Sequence, residues 1–147
     1  MGIFQLANNL KGLDIRALAL QIFDSGYIQD YIVELNTRKQ LYKGLTSKGE
    51  PLYPKYASPD YAEDKRRMNT APGLGSPDLY LFGDFYGGFT AELKGHIMEI
   101  YSRDEKADDL EYVYESDIYG LTPNNMDVIL AEVLPELQEL ILQKLLN

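Results

Sequence analysis

Few residues of this chain combine the type and the spacing that catalysis requires. The sequence has one histidine, His96, and no cysteine, which excludes disulfides, thiolate metal sites and cysteine nucleophiles. His96 follows Gly95 in a predicted hairpin turn, and no serine stands in the Gly-x-Ser-x-Gly elbow that such a base would serve. We interpret His96 as a surface residue and expect no enzymatic activity. Hydrolysis by carboxylates that are distant in the chain and close in space is an open alternative.

Two further groupings invite a ligand-binding interpretation but lack what such sites need. Gly73-Leu74-Gly75 has two glycines of a dinucleotide fingerprint, yet no predicted strand precedes it and Pro77 follows it. An acidic cluster in the second half lacks the alternating carboxylates and the central glycine of a calcium loop; it comprises Asp104, Glu105, Asp108, Asp109 and Glu111. We interpret the cluster as a solvated helix face, with loosely bound Mg²⁺ as the alternative, and predict no cofactor.

Tyrosine and basic residues interleave between positions 38 and 67. Rings that stack on bases beside cations that follow phosphates are typical of single-strand nucleic-acid grooves. Tyrosine-rich protein interfaces share this composition, and Pro51, Pro54 and Pro59 favour an extended arm over a flat binding sheet. We therefore favour protein contact and keep nucleic-acid binding through 38–67 as the alternative. The candidate interface residues are Tyr42, Tyr53, Tyr56, Tyr61, Arg66, Arg67, Tyr80 and Tyr86.

Composition and charge place the chain among globular proteins. It has 147 residues, of which 45% are hydrophobic and 25% charged, as expected for one folded domain over 1–147. The net charge of -9 is uneven, since residues 1–67 carry +2 and residues 68–147 carry -11. An acidic chain repels phosphate backbones, which disfavours sequence-specific DNA binding. Two oppositely charged halves favour head-to-tail contacts between copies, whereas a solvated acidic face and a basic loop are the alternative.

The sequence shows no targeting or membrane-spanning pattern. Its opening lacks the basic region and the long apolar region of a signal peptide. No apolar run approaches the ~18 residues that span a bilayer. We expect a protein that is made in the cytoplasm and has no membrane partner.

The first third of the chain predicts helices and a small hairpin. Asp14 caps a predicted helix, Ser25-Gly26 interrupts it, and a second helix continues toward Leu41. The apolar positions fall on one stripe and predict a buried face: Ile15, Leu18, Ile22, Phe23, Ile28, Ile32 and Leu35. A turn at 47–50 predicts a hairpin within 44–54, and Ser58-Pro59-Asp60 predicts the start of a short helix.

The centre and the end of the chain predict strands and a long helix. A loop over 69–77 precedes strand-like positions from Leu79 to Tyr86, and a hairpin turns at Lys94-Gly95. A short acidic helix over 104–116 should turn Leu110, Val113 and Tyr114 inward. Thr122 and Pro123 then begin a long amphipathic helix, in which Pro135 should cause a kink. Its apolar stripe comprises Met126, Ile129, Leu130, Val133, Leu137, Leu140, Ile141 and Leu145.

The order of these elements predicts an α+β fold. N-terminal helices should precede a central antiparallel β-sheet, on which the long C-terminal amphipathic helix packs. Residues 44–77 should form an extended loop or arm, because they are rich in proline, tyrosine and basic residues.

Three stretches of the sequence carry a family resemblance. They are 35–44 followed by Ser47-Lys48-Gly49, then 79–89, and finally 118–122 leading into the last helix. Together they resemble small virion proteins of tailed phages and prophages of gut bacteria, including crAss-like phages. They are also similar to the neck and tail-completion proteins that bridge portal and tail.

This resemblance implies a non-enzymatic structural role in the virion. It suggests a head-to-tail connector subunit that forms a homo-oligomeric ring around the DNA channel, with arms that reach neighbouring subunits. The implied partners are other copies of the chain, the portal or adjacent neck and tail proteins, and genomic DNA near an acidic lumen. Like charge would let that DNA slide without binding tightly.

Overall fold

The computed structural model of this chain describes residues 2–52 and 84–147. The predicted helix start at Ser58-Pro59-Asp60, the loop over 69–77 and the strand positions over 79–82 lie outside these residues. The described part consists of helices and a two-stranded antiparallel sheet, so the predicted α+β class is confirmed.

Three helices open the chain: α1 (Ile3–Lys11), α2 (Ile15–Phe23) and α3 (Gly26–Thr37). The Asp14 side chain accepts a hydrogen bond from the Ala17 backbone at 3.1 Å, and Ser25 caps α3 in the same way. The predicted cap at Asp14 is therefore confirmed, and Ser25, predicted only to interrupt the helix, caps the next one. Leu18, Ile22, Ile28, Ile32 and Leu35 of the predicted stripe are buried and Phe23 is partly buried, but Ile15 at the start of α2 is 52% exposed, and no residue of α1 is buried.

A 3₁₀ turn at Leu41–Lys43 leads into the predicted small hairpin. Leu45 and Pro51 form an antiparallel bridge, and the Thr46 backbone N–H donates to the Glu50 carbonyl at 2.8 Å. Leu52 is 1% exposed and belongs to the core. The first part of the predicted arm is thus packed into the domain, and positions 53–77 lie outside the described residues.

The central hairpin joins β1 (Phe89–Lys94) to β2 (Ile97–Ser102), with Gly95 and His96 at its turn. This hairpin was predicted, and Gly88 just before it allows a close backbone approach. A Cβ atom on Gly88 would lie 2.7 Å from the Asp104 backbone nitrogen, so a side chain would force the two backbones apart.

The residues before this hairpin differ from the prediction. Phe85 and Tyr86 lie in a four-residue helical turn, α4 (Asp84–Gly87), and not in a strand. Both rings are buried, and the ring centroids of Phe85 and Phe89 are 5.0 Å apart in an edge-to-face arrangement. A strand would send neighbouring side chains to opposite faces, whereas the turn lets both reach one cluster.

The acidic helix α5 (Ala107–Tyr114) forms where expected and is followed by a 3₁₀ turn at Glu115–Ile118. Leu110 and Tyr114 pack against the core, but Val113 is 45% exposed, so its predicted inward orientation is wrong. Val113 and Leu110 are three residues apart, and the short helix rests on the core over a narrower face than the apolar pattern suggests.

The long helix α6 (Pro123–Leu146) begins as predicted, with the Thr122 hydroxyl accepting from the Asn125 backbone at 3.2 Å. The helix is continuous through Pro135. Ile129 and Val133 are buried, but Met126 and Leu130 of the predicted stripe are 45% and 40% exposed. The buried face of α6 is therefore narrower than its apolar stripe.

Two clusters form the core. The first joins α2, α3, β1 and α6 and contains Ile22, Ile28, Ile32, Leu35, Ala91, Ile129 and Val133. The second joins the 3₁₀ turns to the aromatic turn before β1 and contains Leu41, Leu52, Phe85, Tyr86, Phe89, Ala107 and Ile118. Helix α6 lies mainly on α2 and α3, and the sheet packs on α3, so α3 joins the two layers.

Candidate interaction surfaces

Six of the eight predicted interface residues lie outside the described residues: Tyr53, Tyr56, Tyr61, Arg66, Arg67 and Tyr80. Of the other two, Tyr42 is half-buried against the second core cluster, and Tyr86 is only 6% exposed. The Arg38 guanidinium lies 5.8 Å from the centre of the Tyr86 ring. Tyr86 therefore packs in the core of this chain, and the prediction that it lies at an interface is corrected.

The described parts of the three stretches that carry the resemblance contribute to one core cluster. Leu41, Phe89 and Ile118 come from the three stretches and share the second core cluster. The first and third stretches also meet through buried amides, which we call the polar junction: Asn36, Gln40, Gly120, Thr122 and Asn125.

The side chains of Asn36 and Gln40, at the end of α3 and just after it, make most hydrogen bonds of the polar junction. The Asn36 amide donates to the Ile118 carbonyl at 3.0 Å and accepts from the Gly120 backbone at 2.8 Å. The Gln40 amide donates to the Gly120 carbonyl at 2.8 Å and accepts from the Thr122 backbone at 2.9 Å. Both side chains are 0% exposed. The junction fixes the segment before α6 against the end of α3 with its buried groups paired.

Gly120 has a backbone role in the polar junction. Its φ angle of +120° is a conformation that side chains rarely adopt. A Cβ atom there would also lie 3.2 Å from the Ser47 Cβ atom. Sequence reasoning did not identify this junction; the signal was the pair of amides at positions 36 and 40, one helical turn apart and flanked by core leucines.

A second region of the molecule exposes apolar side chains, whereas the polar junction buries polar ones. Large apolar side chains on α1 and along one side of α6 are exposed; we call this set the apolar surface, and it comprises Ile3, Phe4, Leu10, Met126, Leu130 and Leu134. Phe4 is 84% exposed and Leu134 is 53% exposed. The Asn9 amide donates to the Leu145 carbonyl at 2.8 Å and ties α1 to the end of α6. The three residues on α6 lie along one side of that helix, and a row of exposed apolar side chains is a candidate for contact with a partner.

The basic half and the acidic half of the sequence contact each other directly in the described part of the fold. Helix α3 from the basic half packs on β1 and α6 from the acidic half. Lys48 Nζ lies 3.3 Å from Asp117 Oδ2, so the two signs meet directly.

A cleft of about 570 Å³ lies between α3 and the start of β1, and we call it the edge cleft. Side chains of α3, together with Arg38 just after it, form one wall, and Phe89, Thr90 and Ala91 form the other. Asp30 and Glu34 are exposed along the α3 wall, one helical turn apart. Neither carboxylate forms an ion pair with another described residue.

The outer face of the hairpin carries a charged network. Glu92 and Glu99 stand directly opposite each other, a repulsive arrangement in isolation. Lys94 Nζ lies 2.8 Å from Glu99 Oε2, and the Tyr101 hydroxyl donates to Glu92 at 3.1 Å. The hydrogen bond to Glu99 raises the pKa of Lys94. The network satisfies its own charges and needs no ligand.

The residues considered for chemistry remain apart. His96 is exposed at the hairpin turn, as predicted. Across residues 2–52 and 84–147, no three histidine, aspartate or glutamate side chains converge to hold a metal ion. The Tyr119 hydroxyl donates to Glu111 at 2.7 Å, and burial raises the pKa of Tyr119, with this hydrogen bond adding to the effect. The Tyr27 hydroxyl similarly donates to Glu132 at 2.9 Å, which raises the pKa of Tyr27.

Comparisons of the chain with protein-family models, with curated proteins and with solved structures found no match in any of the three. Among the helices that the structure describes, none is both long enough and apolar enough to cross a membrane.

Proposed function

We propose that this chain is a non-enzymatic structural subunit that associates with copies of itself through the apolar surface. The resemblance of its three sequence stretches to tailed-phage proteins supports a specific setting, the neck between portal and tail of a virion. In that setting the subunit would form a homo-oligomeric ring and contact the portal or adjacent neck and tail proteins, near the genomic DNA.

The exposure of the apolar surface carries this proposal. Met126, Leu130 and Leu134 follow one another at intervals of four residues, so they lie along one side of α6. Their burial by a second copy would remove apolar area from water, which is the main driving force of association. Phe4 of α1 is a further large apolar side chain that a second copy could cover.

A concentration series in native mass spectrometry and light scattering tests self-association. We expect oligomers of the wild-type chain, and we expect Leu134→Glu to weaken their association constant by about tenfold or more, because a charge would be buried at the contact. Gln143→Glu adds the same charge to an exposed position of α6 and is the matched control. A monomer at all concentrations, or equal effects of both variants, would overturn the proposal.

Quantitative mass spectrometry of purified phage particles tests the virion setting. A copy number equal to that of the portal supports a connector ring, and absence from the particle rejects the setting. This measurement is independent of the association test, since a protein can form oligomers without entering a virion.

One observation favours the alternative of nucleic-acid binding. Lys39 and Lys43 are exposed just after α3, beside the half-buried Tyr42, at the start of the 38–67 stretch. If this stretch binds phosphates, the affinity for single-stranded DNA should fall steeply between low and moderate salt. No binding at low salt would reject this alternative.

A further inference from the structure

The apolar surface has two parts, one on each of two helices. The part on α6, which we call the α6 row, comprises Met126, Leu130 and Leu134. The part on α1, which we call the α1 face, comprises Ile3, Phe4 and Leu10. The α1 face is turned to solvent, because the positions of α1 that are not exposed are Leu6 and Asn9. Helix α1 thus contacts its own domain with one side and leaves an apolar side in water.

The α1 face and the α6 row of one molecule are far apart along α6. The Asn9 amide holds α1 to the Leu145 carbonyl, near the end of α6. Ile3 lies six residues before Asn9, which is about 9 Å along a helix. Leu134, the nearest residue of the row, lies eleven residues before Leu145, about 16 Å, and Met126 lies nineteen residues before it, about 28 Å. A single chain therefore cannot cover its α6 row with its own α1 face.

The two parts are nevertheless matched in length and in chemistry. The α1 face extends over seven residues, from Ile3 to Leu10, and so measures about 10 Å along the helix. The α6 row extends over eight residues, from Met126 to Leu134, and measures about 12 Å. Packing of two helices along such rows removes apolar side chains of both from water. The α1 face of one molecule therefore fits the α6 row of another.

Each part also carries one charge, and the two charges are opposite. Lys11 is the single ionisable side chain of α1 and lies at its end, whereas Asp127 lies at the start of the α6 row. Both are exposed, and neither forms an ion pair with another residue that the structure describes. The remaining acidic residues of α6, which are Glu132, Glu136 and Glu139, lie on another side of that helix. The charges therefore favour one orientation of α1 on α6.

We propose that the α1 face of one copy packs on the α6 row of the next copy, with α1 antiparallel to α6 and Lys11 beside Asp127. This inference rests on the self-association proposed above and specifies its contact. A parallel arrangement would instead place Lys11 at the Leu134 end of the row, away from Asp127. Because the contact joins two different surfaces, each copy offers one of each to its neighbours. Such head-to-tail contacts can repeat until they close a ring.

Mixing two variants tests the contact, with native mass spectrometry at concentrations where the wild-type chain forms oligomers. Phe4→Glu places a charge in the α1 face, and Leu134→Glu places one in the α6 row, so each variant alone should associate about tenfold more weakly than wild type or less. An equimolar mixture should form a heterodimer and stop there, since it joins one intact α1 face to one intact α6 row. Its formation also shows that both variants are folded.

Gln5→Glu is the matched control for Phe4→Glu. It adds the same charge to the neighbouring exposed position, which lies on another side of α1. This variant should form oligomers as the wild-type chain does.

Charge reversal tests the orientation. Lys11→Glu and Asp127→Lys should each weaken association by about three- to tenfold, because each places like charges together. The two substitutions in one chain restore an opposite pair and should return association to within about twofold of wild type. Lys39→Glu reverses the charge of another exposed lysine and should have no effect on association.

Three results would overturn this inference while the proposed self-association stands. They are unchanged oligomers of Phe4→Glu, a mixture of the two glutamate variants that contains no heterodimer, and a charge-reversed double variant that stays as weak as its single parents. Dimers of Phe4→Glu that Leu134→Glu abolishes would show that two α6 rows pack on each other instead. A wild-type chain that is monomeric at every concentration would reject the proposed self-association, and this inference with it.

Discussion

The polar junction and the apolar surface differ in opposite ways from the usual pattern: the first buries polar side chains, and the second exposes apolar ones. In the junction, Asn36 and Gln40 are amides with no exposure, and hydrogen bonds pair their polar atoms. On the apolar surface, Phe4 and Leu134 are hydrocarbon side chains left largely in water. The junction is complete within one chain, whereas the surface would be complete only against a second one. Under the proposed function, internal stability and association would therefore depend on different residues.

This separation means that the two properties can be changed independently. The junction lies where α3 ends and the segment before α6 passes, so its hydrogen bonds decide the packing of distant parts of the chain. The apolar surface contributes little to that packing because much of its area remains exposed. A variant that alters both properties to the same degree would contradict the separation.

The largest loss of stability is expected from a substitution of Gln40. Gln40→Ala leaves the Gly120 carbonyl and the Thr122 backbone N–H without partners in a buried site, and it also removes the acceptor of the Asn125 amide. Each unpaired buried group costs about 1–3 kcal/mol, so we expect a loss of about 3–5 kcal/mol in the free energy of unfolding. Urea denaturation measures it.

Lys39→Ala is the control for this change, since Lys39 is the exposed neighbour of Gln40. Its cost should stay below about 0.5 kcal/mol. If Gln40→Ala costs less than about 1 kcal/mol, the junction contributes nothing special to stability and the contrast between the two regions fails.

The next largest loss of stability is expected on the buried face of α6, and it can be compared with a truncation on the exposed face. Ile129→Ala truncates a side chain that is 1% exposed in the first core cluster, and we expect a loss of about 2–4 kcal/mol. Leu134→Ala truncates a side chain that is 53% exposed, and we expect less than about 1 kcal/mol at protein concentrations where the chain is monomeric. Similar losses from the two variants in urea melts would mean that the outer face of α6 belongs to the core.

Much of this fold was predictable because its signals are local. Asp14, Ser25 and Thr122 each cap the helix that their position in the sequence indicates, since a cap bonds a backbone group only three residues away. The β1–β2 hairpin is likewise specified by two apolar segments and the turn between them. Such features need no knowledge of the rest of the chain.

The failures all depend on contacts between distant residues. Tyr86 looked like an exposed interface tyrosine, but it is enclosed in a core cluster that Leu41 and Ile118 complete. Gln40 is an ordinary polar residue in the sequence and becomes a buried junction only when Gly120 and Thr122 reach it, 80 and 82 residues later. The width of the buried face of α6 depends on how α2 and α3 sit against it, which no pattern within α6 specifies.

The smallest expected change in stability is at Tyr119, and it depends on pH. Burial and the hydrogen bond to Glu111 raise the pKa of its hydroxyl above the ordinary value of 10.0, so the folded state holds this proton more tightly than the unfolded state. As pH rises above 10, the unfolded chain loses the proton first, and the stability that the protonated group contributes to the fold declines.

Tyr119→Phe should therefore cost about 0.5–1 kcal/mol at pH 7, where a partly exposed hydrogen bond is lost, and the difference from wild type should shrink or reverse near pH 10.5. Tyr112→Phe is the control, because the Tyr112 side chain is 90% exposed, and it should change stability little at either pH. Urea melts at the two pH values measure both variants. A Tyr119→Phe effect that is the same at both pH values would show that the fold does not retain this proton, and would place Tyr119 with the exposed tyrosines and not with the packed interior.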